Sequence, residues 1–340
     1  MTKISRRAVL AGAAASTLAS QSSFAQSRAN VRFAVDFVWQ SNHSIWTLAQ
    51  NQELFAKEEL NVTVDRGYGS SDNLTKLAAG ALDIGLVDPN LLGKFNQENP
   101  NSQMIAVCIV YDAAPSAAVY LKSSGIKSMK DLEGRKVAVT DGSANVPLFK
   151  ALCQLNGVDP TKIEFLSVSP ALRDTMVIQK RADAAVGFFT TSIINMAAAG
   201  IPKDDIAYFQ YSKYGLALYS LSLVCKKDYC TANPETVAAF VRGTYAGTRA
   251  MLANPKAAVA SIIKRDGLLK EAVELERNEL MNEGCLVTPW VREHGMSVVQ
   301  RDRFEKTTGQ VTELLGAKRP KMEDIYTEKF LPPAPDRKIV

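Results

Sequence analysis

Twice along this chain a strand pattern gives way to a helix pattern and returns, and that alternation constrains the fold more than any single residue does. Val31, Phe33 and Val35 alternate with Arg32, Ala34 and Asp36, the period of two expected of a half-buried strand. Ile45, Leu48, Ala49 and Phe55 then share one helical face. Residues 61–66 and 83–87 read as two more strands around a helix that Ser70 or Ser71 caps and Gly80 closes. Residues 103–111 and 117–122 are further apolar strands. The pattern repeats with strands at 136–140, 163–168 and 182–188 and helices at 143–156 and 170–180. Repeated strand–helix units predict an α/β fold with mainly parallel sheets and helices on both faces. After a strand at 219–225, helices dominate, at 234–252, 255–264, near 271–282 and near 300–315.

A chain of 340 residues exceeds one ordinary core, so two domains are expected. No low-complexity linker separates the two strand–helix blocks, and the crossings near 116–121 and 219–224 are themselves strand-like. The division predicted is one lobe of 26–117 plus 224–340 and a second of 118–223, hinged to close on a ligand. At 46% apolar and 22% charged residues the composition is that of a folded globular protein. Residues 1–25 carry Lys3, Arg6 and Arg7, an apolar stretch, and Ser23-Phe24-Ala25, which reads as an export signal cleaved near Ala25. The paired arginines fit a twin-arginine signal, and an ordinary secretory signal fits as well. A free periplasmic protein is therefore expected. Loss of those three cations lowers the net charge from +5 to +2, which leaves no electrostatic footprint for nucleic acid.

Ligands in α/β sheets sit beyond the carboxyl ends of the strands, which yields a list of candidates. After the first strand, Trp39 can stack a planar ligand while Asp36, Asn42 and His43 hydrogen-bond it. The second leads to Tyr68-Gly69-Ser70-Ser71, where glycine admits close backbone approach and a helix start offers free N–H groups. Asp88 lies on the same rim. In the second block Ser143, Ala144 and Asn145 repeat the arrangement, and Phe188 supplies another stacking face, with Phe189 expected on the opposite side. Arg173, within a helix-forming stretch, is expected to be solvated. Aromatic residues favour a flat heterocycle, whereas the two Gly-Ser helix starts leave a small anion open.

The two histidines, His43 and His294, have no partners at metal-ligand spacing, and no nucleophile elbow, Walker loop or dinucleotide glycine pattern occurs. No metal and no cofactor is called for. Five cysteines, Cys108, Cys153, Cys225, Cys230 and Cys285, make no disulfide framework. Buried thiols are expected for most of them; Cys225 and Cys230 are near enough in sequence to bridge.

Several stretches together resemble one family. They are 31–36 through Asn42-His43, 54–62, Gly69-Ser70-Ser71, 77–85, 130–139, 181–187 and 233–240, in order across most of residues 31–265. They are similar to periplasmic solute-binding proteins of ABC importers, in the branch of nitrate, taurine and alkanesulfonate binders, thiamine-pyrimidine-precursor binders and the related pyrimidine synthases. The resemblance implies a type II periplasmic binding-protein fold, two α/β lobes on a two-segment hinge. A monomer would then close on one small molecule and present it to a permease and ATPase complex at the inner membrane. The Asp36 and Asn42-His43 cluster resembles the pyrimidine-precursor branch most. Two departures stand out: the acidic residue expected within 187–191 is missing, and so is the cysteine cluster of the synthases. The alternatives carried forward are a small-anion binder, a synthase-type enzyme and a sensory receptor.

Overall fold

The computed structural model describes residues 28–340; the export-signal expectation for residues 1–25 lies outside the described residues. Ten strands occur in chain order: β1 (Ala29–Ala34), β2 (Leu60–Asp65), β3 (Ile84–Val87), β4 (Met104–Tyr111), β5 (Ser116–Leu121), β6 (Lys136–Val139), β7 (Glu164–Ser167), β8 (Ala184–Phe188), β9 (Ile206–Gln210) and β10 (Ser220–Lys226). They form two five-stranded sheets, ordered β2-β1-β3-β10-β4 and β7-β6-β8-β5-β9. In the first, β1 runs parallel to β2 and β3, but β10 is antiparallel to β3 and β4. In the second, β6 is parallel to β7 and β8, but β5 is antiparallel to β8 and β9.

The sheets are thus mixed, not mainly parallel as the alternation predicts. The reason is topological. β5 and β10 are the strands by which the chain arrives from the other sheet. Ser116 pairs with Phe188, the last residue of β8, and Ser220 pairs with Tyr111, the last residue of β4. Each arriving strand therefore enters at the carboxyl edge of its neighbours and must run against them. Both crossings lie on the edge where ligands bind in such sheets.

Along β1, Val31 and Phe33 are buried and Arg32 is exposed, as the period of two requires. The edge strand β2 alternates Leu60, Val62 and Val64 inward with Asn61, Thr63 and Asp65 outward. The inner strands β5 and β10 are buried nearly throughout, because helices cover both faces, and so is the edge strand β4, whose Ala106 bridges Tyr326. Under the first sheet Phe33 packs on Trp46 and Phe240 at ring separations of 5.2 and 5.0 Å, and Phe240 stacks on Phe55 at 5.1 Å. The Trp46 indole N–H donates to Thr244 Oγ1 at 3.2 Å, so its polar edge is satisfied in the core. The expected late helices appear as Pro234–Ala253, Pro255–Ile263, Glu271–Met281 and Arg301–Leu314.

Cys225, in β10, and Cys230, on the short helix Lys227–Ala232, form a disulfide; the turn of that helix brings their Cα atoms to 6.5 Å. Cys108, Cys153 and Cys285 are free and buried, and burial pushes the Cys108 and Cys153 thiols up to about 12. Phe33 is fully buried between two aromatic rings, so Phe33→Ala is expected to cost about 3–5 kcal/mol in urea unfolding, with an unchanged slope.

Candidate functional site

The carboxyl edges of the two sheets face one cavity. From the first sheet its wall takes Asp36, Phe37, Gln40 and Asn42, which follow β1, then Gly69 and Ser70 at the start of helix Ser70–Ala78, Asp88 after β3, and Leu221 in β10. The opposite wall takes Ser143, Ala144 and Asn145, which follow β6, Arg173 after β7, Phe188 at the end of β8, and Thr191. Leu221 holds a φ of +40°, a left-handed value costing a non-glycine residue on the order of 1–2 kcal/mol. Strain of this kind recurs where function fixes the backbone.

Buried hydrogen bonds set the polar side chains of the first wall. His43, fully buried, lies 3.0 Å from Asp36 Oδ1 through Nε2, and its Nδ1 accepts the Gln40 N–H at 3.3 Å. That acceptor role places the ring proton on Nε2, which donates to Asp36 and aims the carboxylate. Asp88 accepts from the Asn90 backbone N–H at 3.0 Å, from Asn90 Nδ2 at 2.7 Å and from Ser220 Oγ at 3.0 Å. Burial nevertheless pushes its carboxyl up to about 6, and the nearby Asp36 charge pushes the same way. On the facing wall, Tyr211 donates its hydroxyl to the Asn145 carbonyl at 3.1 Å. Two residues of the lining, Asn42 and Asn145, each keep a buried Oδ1 with no hydrogen-bond partner among the described residues. An acceptor left so costs roughly 1–3 kcal/mol, and a ligand N–H would recover it.

The walls touch. Ser71 N–H donates to the Gly142 carbonyl at 3.0 Å, and Thr191 Oγ1 donates to Gln40 Oε1 at 3.1 Å. Gly69 sits at φ +120°, and a Cβ there would fall 2.2 Å from Gly142 O. Only about 30 Å³ of the cavity is open to the centre of a water, room for one or two. A ring-sized molecule enters this site only when the walls part.

Nine of the sequence-derived candidates meet at this cavity: Asp36, Asn42, Gly69, Ser70, Asp88, Ser143, Ala144, Asn145 and Phe188. Four lie outside its lining. Trp39 is half-buried, its ring edge-on to His43 at 6.3 Å and beneath the Arg265 guanidinium at 5.7 Å. His43 stands behind Asp36. Tyr68 is 50% exposed between Arg66 and Lys76. Ser71 contributes its backbone to the contact between walls. Phe189, the first residue of helix Phe189–Ala198, is buried against Tyr208 at 4.9 Å and is not in the lining. Arg173 corrects an expectation: it is 4% exposed, not solvated, because Asp174 and Ser192 fold around its guanidinium. Sequence reasoning also passed over Phe37, Gln40, Thr191 and Leu221. The strand-end rule finds Arg173 when applied to the strand ending at Ser167.

With this geometry in place, comparison with known proteins decides the family. The family described as NMT1/THI5 like matches residues 40–258. The chain belongs to that family. A formylaminopyrimidine-binding protein of Halalkalibacterium halodurans is 25% identical over 233 residues, 67% of this chain and 68% of the relative. A 4-amino-5-hydroxymethyl-2-methylpyrimidine phosphate synthase of Legionella pneumophila is 21% identical over 301 residues, 87% of this chain and 91% of that one. Among solved structures, the alkanesulfonate-binding protein SsuA of Xanthomonas axonopodis pv. citri, bound to MOPS, superposes with a TM-score of 0.67 at 16% identity, covering 88% of this chain and 98% of SsuA. The periplasmic nitrate-binding protein NrtA of Synechocystis gives 0.67 at 11% identity, covering 91% and 90%. This NMT1/THI5-like chain therefore has the α/β periplasmic binding-protein fold that the sequence resemblance implies.

Two outcomes follow from the geometry. Gly69→Ala, forced against Gly142, is expected to lower Tm and hold the walls apart, seen as a larger radius of gyration in solution scattering. For Asp88, the native carboxyl keeps its proton to about pH 6 and the unfolded one only to about 3.8, so its contribution to stability falls as pH rises between them. Asp88→Asn is expected to gain on the order of 2 kcal/mol near pH 7 and roughly nothing near pH 4, read from urea unfolding at both pH values.

Proposed function

We propose that this protein is the solute-binding component of an ABC importer. It captures a small, flat, amine-bearing heterocycle of pyrimidine type between two lobes, 26–117 plus 224–340 and 118–223. It works in the periplasm after loss of its leader and delivers the solute to a permease and ATPase complex. The observation that carries this reading is the cavity's polarity. Asp36, Asp88, Asn42 and Asn145 bring side-chain acceptors to its lining, which also carries the rings of Phe37 and Phe188. Such walls match an aromatic amine, whose ring stacks and whose N–H groups donate.

A small anion is the weaker reading. Asp36 and Asp88 place two carboxylates on the cavity, and the one cation on its lining, Arg173, is already paired with Asp174 at 3.0 Å. The summed field repels nitrate or a sulfonate and attracts an amine. The synthase reading finds little support at the lining, which holds no Cys, His or Lys. Its serines, Ser70 and Ser143, accept backbone N–H bonds from Asp88 and Asn145 and stand beside no base.

The reading is tested by calorimetry and thermal shift with 4-aminopyrimidines against nitrate and alkanesulfonates. A ligand at 100 times its Kd stabilises by about 2.7 kcal/mol, well within reach of a melting scan. The expected result is a Tm rise with an aminopyrimidine, compaction in solution scattering and recovery of the compound unaltered. Stabilisation by the anions alone would overturn the heterocycle assignment, and chemical turnover would overturn the binding role. Phe37→Ala and Phe188→Ala are each expected to weaken binding about tenfold, from lost ring contact, and Ser143→Ala less than about threefold.

A further inference from the structure

We infer that Arg173 selects the solute by a neutral carbonyl oxygen, which accepts from the free edge of its guanidinium on the wall opposite that of Asp36. The inference rests on the heterocycle-binding reading above and adds a second contact to it.

Arg173 is a built element and not a stray surface charge. Its side chain is 5% exposed, and Nε and Nη2 grip Asp174 at 3.0 and 3.2 Å, with Nη2 also donating to Ser192 Oγ at 3.2 Å. Asp174 is held in turn by Ser192 Oγ at 2.8 Å and Asn195 Nδ2 at 2.7 Å. This fork fixes the plane of the guanidinium. The plane lies against the backbone of Gly187, where a Cβ would fall 2.3 Å from Nη1 and 2.6 Å from Cζ, so only glycine admits it. The ring of Phe37 stands 5.9 Å from Cζ.

What remains is Nη1. It has no hydrogen-bond partner among the described residues, and it is not among the polar atoms sealed from solvent. Arg173 lines the cavity, and Nη1 is the guanidinium nitrogen left over to serve what the walls enclose. An N–H donor of this kind, left unpaired beside a bound apolar group, penalises that ligand and favours one that supplies an acceptor. The acceptor is a neutral one because Asp174 has already matched the guanidinium charge, and Asp36 and Asp88 disfavour another anion in the same space. The solute then carries two kinds of polar group, an amine for Asp36 and a carbonyl for Arg173, on a ring that Phe37 and Phe188 can contact.

The experiment uses two 4-aminopyrimidines of similar shape, one bearing an acetylmethyl group on ring carbon 5 and the other an isobutyl group, titrated by calorimetry into the folded protein. The wild type is expected to bind the acetylmethyl compound at least about tenfold more tightly. Arg173→Lys keeps a cation for Asp174 but has no atom at Nη1, and Gly187→Ala displaces the guanidinium through its Cβ. In both variants the ratio between the two compounds is expected to fall below about threefold. Equal affinity in the wild type, a ratio that survives both variants, or an equal loss of both compounds in the variants would overturn the assignment while leaving the heterocycle reading intact. Failure of the wild type to bind either compound would remove the heterocycle reading and this inference with it.

Discussion

The site depends on where the chain passes between its two sheets. β5 and β10 each enter a sheet at the carboxyl edge and run against their neighbours. The two crossings thereby lie on the same edge as the ends of β1, β3, β6 and β8. Had either crossing been at the amino edge, the loops that carry Asp36, Asp88, Ser143 and Phe188 would not face one another. The two crossing segments are strands at their arriving ends, so each wall is continuous with the sheet it belongs to. Strain at Leu221 falls in β10, one residue beyond the start of that strand.

Few contacts join the two walls directly. Backbone meets backbone at Gly69 and Gly142, and single hydrogen bonds join Ser71 to Gly142 and Thr191 to Gln40. A sturdier tie comes from helix Glu271–Met281. Glu274 accepts the Ser41 N–H at 2.7 Å, while its ion-pair partner Arg277 donates to the Thr191 carbonyl at 3.3 Å and to Asn195 Oδ1 at 2.9 Å. This buried pair joins the loop after β1 to helix Phe189–Ala198. Pairs of this sort contribute little net stability but fix geometry, because removing one partner strands a buried charge. The helical portion after β10 thus acts on the site although none of its side chains lines the cavity.

Much of this was legible before the structure. The period-2 run at Val31, Phe33 and Val35 and the strand-end rule placed Asp36, Asn42, Ser70, Asp88, Asn145 and Phe188 at the cleft. Trp39 and Tyr68 were equally near a strand end, yet one rests against the core and the other faces solvent. The loop of residues 35–40 does not announce which of its aromatics reaches the cavity: Phe37 does, whereas Trp39 lies beneath Arg265. Arg173 was unreadable for a related reason. A charged residue in a helical stretch is ordinarily solvated, and only the tertiary approach of Ser192, Asn195 and Gly187 makes a place for it.

The amino-acid sequence by itself determined the α/β alternation, the strand ends that meet at the cavity and the family, since local periodicity and turn chemistry act over a few residues. Tertiary structure alone decided that the sheets are mixed, that Cys225 and Cys230 meet, and that Arg173 is a buried part of the wall. Those depend on strand direction and on contacts between residues far apart in the chain, and no local pattern encodes either.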